Sequence, residues 1–294
     1  MSRLDWQREG RIWPHREASR FIDVGPARWH VQRMGAGPPL LLLHGTGASV
    51  HSWRGLMPLL AEHYDVIAPD LPRHAFTTGH DAYAMNLPAM AGEVAALLKA
   101  LEVDPAAIIG HSAGAAVALQ LALDQGYAGP IVGLNAALRP FPGALAQIFP
   151  AIAKTLFANP LVPRLFAGTI DLAGGAQRFM WRSTHSRIDA AGMACYRTLL
   201  KNPDHAGGGL AMMANWDLPG LRARMGEVAN PVLLVHGSND PAIPLDWARD
   251  AAGWLPDARL ELLPGLGHLA HEEAPEKAAA LIAAFLAQET LGAD

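Results

Sequence analysis

The chain has 294 residues, 51% of them hydrophobic and 17% charged, and a formal net charge of −4. That composition supplies ample apolar surface for a packed core and argues against disorder, and the acidic balance argues against a general nucleic-acid binder. A lone cysteine, Cys195, excludes an internal disulfide, the N-terminal MSRLDWQREGRIWPH lacks an apolar signal core, and no apolar run reaches the roughly 20 residues of a membrane span, so a cytoplasmic protein is expected.

In chain order, Arg20 to Val24 and Ala27 to Met34 read as two strands joined at Gly25-Pro26, an antiparallel hairpin. The pattern then changes to continuous apolar runs at Pro39 to His44, Tyr64 to Ala68, Ala106 to Gly110, Pro130 to Leu134 and Pro231 to His236. Continuous rather than alternating runs are what parallel strands covered on both faces require. Helical patterns at Trp53 to Glu62, Leu87 to Leu101 and Ala113 to Asp124 separate them. Ala258 to Leu263 predicts a last strand, and Pro275 to Gln288 a closing amphipathic helix with proline in its first turn. The succession predicts an α/β fold with a mostly parallel sheet.

Residues 137–225 break this rhythm, with helical apolar segments such as Gly143 to Phe157 and no convincing strand. They read as a helical cap inserted after the sixth strand, between core segments 1–136 and 226–294. Ten Lys/Arg against four Asp make the cap about +6 and the remainder about −10.

Gly110-His111-Ser112-Ala113-Gly114 fits the G-x-S-x-G nucleophile elbow, with an apolar strand before it and a helix after it. The turn is so tight that small residues must flank the serine, and the N-terminus of the following helix favours negative charge nearby. A serine hydroxyl needs a base oriented by an acid. Asp240 in LLVHGSNDPAIP and His268 in LLPGLGHLAHEEAP follow predicted strands in the order Ser, Asp, His, and His271 is the rival base. An oxyanion needs two N–H donors, which Ala113 and Thr46, the latter in LLLLHGTGAS, are placed to provide. No phosphate-loop or dinucleotide motif follows the first parallel strand, and nothing calls for a nicotinamide, flavin, ATP or metal cofactor.

Together these residues resemble the α/β-hydrolase superfamily. WPHREASRFIDVGPARWHVQRMGAGPPLLLLHGTGASVHSWRGLMPLL (Trp13 to Leu60) and DLPRHAFTT (Asp70 to Thr78) are similar to the family of magnesium-chelatase accessory proteins of bacteriochlorophyll biosynthesis. That resemblance implies the α/β-hydrolase fold, a triad of Ser112, Asp240 and His268, and an association with magnesium insertion into protoporphyrin IX in phototrophic bacteria. The implied partners are a small acyl or ester substrate, protoporphyrin or the chelatase subunits. One departure stands out. Many hydrolases of this fold carry D-x-x-G-x-G-x-S after the fourth strand, whereas Asp70 to Thr77 has no glycine in those places, and Arg73 and Phe76 put charge and bulk there, which is expected to narrow or re-aim the pocket mouth.

Three readings stay open on the sequence alone. The first is ester hydrolysis by Ser112, with or without a link to pigment synthesis. The second is a binding module for a tetrapyrrole or chelatase subunit, using a cap rich in Phe141, Phe149, Phe157, Phe166, Phe179, Trp181 and arginines. The third is contact of that basic cap with an anionic membrane surface.

Overall fold

The computed structural model describes residues 3–79, 85–140, 159, 161–170 and 175–291. Eight strands form one sheet: β1 (Ser19–Val24), β2 (Ala27–Met34), β3 (Pro39–Leu43), β4 (Asp65–Pro69), β5 (Ala107–His111), β6 (Ile131–Leu134), β7 (Val232–Gly237) and β8 (Ala258–Leu263). Their order is β1-β2-β4-β3-β5-β6-β7-β8. The hairpin pairs in register from Ser19↔Gln32 to Val24↔Ala27, and β2 joins β4 antiparallel. Every later pairing is parallel.

Burial on both faces explains the apolar runs, and β3 shows how. Leu41 and Leu43 pack with Val94 and Leu97 of helix Leu87–Ala100 and with Val117 of helix Ala113–Gln125. Leu40 and Leu42 point the other way, onto Leu56, Met57, and Ile282 and Phe285 of the closing helix Pro275–Leu291. Alternate residues thus serve two separate cores. The edge strand β8 is covered less, and Arg259, Glu261 and Leu262 stay exposed.

The expected helix at Trp53 to Glu62 is cut down to a 3₁₀ turn, Val50–Trp53, and a short helix, Leu56–Leu60. Pro58 has no N–H to return to the Arg54 carbonyl, so the helix cannot extend back through it. His15 Nε2–H donates to that carbonyl instead, at 2.8 Å.

Between β6 and β7 the chain runs through helices Leu161–Thr169, Gly175–Thr184, Ala190–Leu200, Pro203–Ala214 and Leu218–Arg224. The helix expected at Gly143 to Phe157 lies outside the described residues. Among the described residues no helix is long and apolar enough to cross a membrane.

Candidate active site

Ser112 leaves β5 with φ 51° and ψ −114°, a conformation costly for any residue with a Cβ. Its amide donates to Leu134 O at 2.9 Å, and its carbonyl accepts the amides of Ala115 and Ala137 at 3.2 and 3.1 Å. The flanking glycines are a steric necessity. A Cβ at position 110 would sit 2.4 Å from Ala115 N, and one at position 114 only 2.0 Å from Leu43 O. Helix Ala113–Gln125 therefore starts hard against β3, with its free N–H groups at Ser112.

Asp240 follows β7. Its Oδ1 accepts the amides of Ala242 and Ile243 at 2.8 and 3.0 Å, and its Oδ2 accepts from His268 Nδ1 at 2.7 Å and Asn135 Nδ2 at 2.8 Å. Burial pushes this carboxyl's pKa up, but the bonds from His268, Ile243 and Asn135 outweigh it and hold the pKa below the usual value. Because the carboxylate accepts a hydrogen bond from Nδ1–H, the neutral His268 ring presents Nε2 as a lone pair. His268 is itself held at the backbone, its amide donating to Thr184 O at 2.7 Å and its carbonyl accepting from His111 Nε2 at 3.0 Å.

Asp240 thus meets His268 and not His271. The His271 ring is buried without a hydrogen-bond partner on either nitrogen, packed against Trp53 at 4.8 Å and His111 at 4.5 Å between ring centroids.

Thr46, Ala113 and Ser112 share one cavity of about 500 Å³, walled by Trp216, Trp247 and Ile243 and reached by Arg139. Arg139 lies over Trp247, 5.2 Å from the ring, and pairs with Asp250 at 2.6 Å. The loop carrying Thr46 is fixed through its carbonyls. Gly45 O accepts from His44 Nδ1 at 2.8 Å and from Ala48 N at 3.1 Å. In a trans peptide the N–H opposes the C=O, so these bonds set the direction of the Thr46 N–H. Position 45 must be glycine, since a Cβ there would lie 2.7 Å from His111 Nδ1 and 3.1 Å from Ser112 Cβ.

The sequence reading missed Asn135, His111, Trp216 and Trp247. Asn135 stands at the carboxyl end of β6 with φ 45°, and that strand-end position was the one signal available for it. Arg73 and Ala75, which replace the glycines of the loop after β4, still hold positive φ of 60° and 42°. Neither they nor Phe76 lines the Ser112 cavity: Phe76 is buried on Trp6 and Trp13, and Arg73 borders a separate pocket with Arg3 and Asp204.

Among the aromatics of residues 137–225, Phe166 and Phe179 meet at 5.6 Å, Trp181 is exposed, and Phe141, Phe149 and Phe157 lie outside the described residues. Trp181, Arg178 and Arg187 border another cavity, of about 570 Å³.

Residues 38–275 match the family model of the alpha/beta hydrolase fold. The chain is 43% identical to the magnesium-chelatase 30 kDa subunit of Rhodobacter capsulatus, over 93% of this chain and 96% of that protein. It is 30% identical to the pimeloyl-[acyl-carrier protein] methyl ester esterase of Aromatoleum aromaticum, over 83% of this chain and 96% of that protein. A solved α/β hydrolase fold protein from Burkholderia ambifaria superposes with a TM-score of 0.73 at 22% identity, over 90% of this chain and 98% of that one, a likeness of fold.

Proposed function

The chain belongs to the α/β-hydrolase fold family, and within it we propose a serine hydrolase that cleaves a carboxylic ester, in a role accessory to magnesium insertion into a tetrapyrrole. The observation that carries hydrolysis is the 2.7 Å bond from His268 to Asp240, which leaves Nε2 of His268 as the base for a serine displayed on a strained elbow. Ser112 Oγ attacks the ester carbonyl while its proton passes to His268 Nε2. The tetrahedral oxyanion takes hydrogen bonds from the Thr46 and Ala113 N–H groups, and the imidazolium is held by the Asp240 carboxylate. Collapse breaks the ester C–O bond, and the proton on His268 leaves with the alcohol. Water, deprotonated by His268, then attacks the acyl-serine and releases the acid.

The aromatic lining of the Ser112 cavity favours an apolar acyl group. Residues 137–225 act as a cap on a core of 1–136 and 226–294. The accessory role is supported by the 43% identity to a relative named as a magnesium-chelatase subunit. A second reading has the protein bind a tetrapyrrole or a chelatase subunit with the serine idle. It is favoured by the cavity bordered by Trp181, Arg178 and Arg187, whose surfaces suit a flat apolar ring with carboxylates.

Labelling with a fluorophosphonate probe and complementation by Ser112→Ala separate these readings. Hydrolysis in the biological role requires Ser112 to be labelled and the alanine variant to fail in restoring pigment synthesis to a strain lacking the protein. Full rescue by that variant selects the binding reading, and an unlabelled wild-type protein removes the nucleophile.

A further inference from the structure

Helix Pro203–Ala214 contains Gly207, Gly208 and Gly209, each costing about 1 kcal/mol relative to alanine in a helix interior. Packing accounts for one of the three: a Cβ on Gly208 would fall 2.2 Å from Arg73 O, whereas one on Gly209 would make ordinary contact, 3.6 Å from the Gly47 backbone and 3.7 Å from Thr46 Cγ2. The helix backbone therefore rests directly on the loop after β4 and lies beside the one carrying Thr46.

His205, Gly208, Gly209 and Met212 stand at i, i+3, i+4 and i+7, one face of the helix. The two long side chains of that face both bond to the Thr46 loop. His205 Nδ1 accepts the Ala75 amide at 2.9 Å, so its proton is on Nε2, which donates to Gly47 O at 3.1 Å. Met212 Sδ accepts from Thr46 Oγ1 at 3.4 Å. Burial, with His74 nearby, lowers the His205 pKa to about 3, so this arrangement of one donor and one acceptor persists at neutral pH.

Taking Ser112 as the nucleophile and Thr46 N–H as an oxyanion donor, we propose that this helix face is a positioning device for the reaction. His205 and Met212, carried on the segment inserted between β6 and β7, hold the oxyanion loop in its working geometry. Neither side chain is among those lining the cavity at Ser112, and both act through the loop. His44 fixes the Gly45 carbonyl from within the core, and His205 fixes that of Gly47, two residues on, from the segment between β6 and β7.

The test uses the full chain, a fluorophosphonate probe and p-nitrophenyl butyrate. His205→Leu keeps the side-chain volume and loses both hydrogen bonds, His205→Gln keeps a donor and an acceptor, and Met212→Leu removes only the sulfur acceptor. A thermal melt of each variant establishes that it is folded. The expected result is a loss of about tenfold in labelling rate and in kcat for His205→Leu, with KM within about twofold, and a smaller loss of about threefold for Met212→Leu. His205→Gln should recover most of the rate, which a purely space-filling role does not explain.

A folded His205→Leu labelled at the wild-type rate overturns the proposal, as does a folded His205→Gln no better than the leucine variant. If His205→Leu does not fold, Met212→Leu decides, and wild-type kcat there overturns it. Absence of labelling in the wild-type protein is a different failure, that of the nucleophile assignment, and takes this inference with it.

Discussion

His44 donates from Nδ1 to the carbonyl of its neighbour Gly45 at 2.8 Å, and its Nε2 accepts the Leu71 amide at 2.9 Å. The imidazole is fully buried, and burial, with His74 alongside, holds its pKa well below the ordinary value. Only the neutral Nδ1–H tautomer satisfies both contacts, since a proton on Nε2 would face the Leu71 N–H. Replacing His44 by alanine leaves the Gly45 carbonyl with the Ala48 amide alone, which loosens the Gly45–Thr46 peptide, and leaves the Leu71 amide without its acceptor. A loss of about 10² in kcat is expected from the misaimed donor, together with about 2 kcal/mol of stability from the unsatisfied amide and the cavity. Stopped-flow acylation and urea unfolding on the same preparation measure the two effects separately.

Backbone strain gives a prediction of opposite sign. Ser112 sits at φ 51° and ψ −114°, and Ala75 at φ 42°. A glycine relieves the Cβ clash at such positions, at the expense of a more flexible unfolded chain. Ser112→Gly is therefore expected to be more stable than Ser112→Ala by about 1 kcal/mol, and under the proposed mechanism neither should hydrolyse an ester. Ala75→Gly should gain a similar or smaller amount and keep its activity, because the Ala75 N–H still meets His205. Equal melting temperatures for the glycine and alanine variants at position 112 would show that the elbow stores no strain.

The sheet, the elbow and the Asp-His pair were legible because each leaves a local mark: an apolar run, two glycines around a serine, a polar residue just past a strand. What was not legible depends on partners distant in sequence. Asn135 matters because it reaches Asp240, and His205 because it reaches Gly47, and neither neighbourhood carries a hint of the pairing. The shortened helix before Leu60 was in principle readable from Pro58. The loop after β4 misled in another way: Arg73 and Ala75 adopt glycine-like φ values without being glycine, held there by Asp70, His205 and the helix lying on Arg73 O.

Acid should destabilise the protein steeply. Burial is the leading cause of lowered pKa values at His44, His51, His74, His111, His205, His236 and His271, with His111 and His205 brought to about 3. Between the unfolded value of 6.5 and the folded one, the unfolded state binds more protons, so stability is full above 6.5 and falls as pH drops below it. Each such histidine contributes up to about 1.4 kcal/mol per pH unit. Asp240, lowered from 3.8, adds to the loss at still lower pH. Glu272, raised from 4.5 to about 6, works in the opposite direction over that interval, by about 2 kcal/mol, and is outnumbered. Urea midpoints at pH 7.5, 6.5 and 5.5 should fall by several kcal/mol equivalent across the last step. His271→Leu removes a ring with no hydrogen-bond partner and should flatten the slope by one proton; an unchanged slope would mean that His271 protonates in place.

Arg54 and Glu272 provide the last prediction. The guanidinium donates to Glu272 Oε2 and pairs with Asp189 at 3.1 Å, and Tyr196 Oη donates to Glu272 Oε1 at 2.6 Å. The Glu272 side chain is fully buried, and burial sets its raised pKa, near 6, against the lowering effect of Arg54 and Tyr196. At pH 7.5 the carboxylate is mostly charged and depends on Arg54. Arg54→Met should therefore cost about 3 kcal/mol or more, since an uncompensated buried charge is worse than none. The loss should shrink as pH falls, because without the guanidinium Glu272 titrates higher still and is neutralised by a proton. Adding Glu272→Gln to Arg54→Met should restore much of the stability at pH 7.5, the amide still accepting from Tyr196. Urea unfolding of the four corners of this cycle at pH 7.5 and 5.5 gives the coupling at each pH. A coupling as large at pH 5.5 as at pH 7.5 would mean that Glu272 stays ionised beside Arg54 across that interval, with its pKa held lower than about 6.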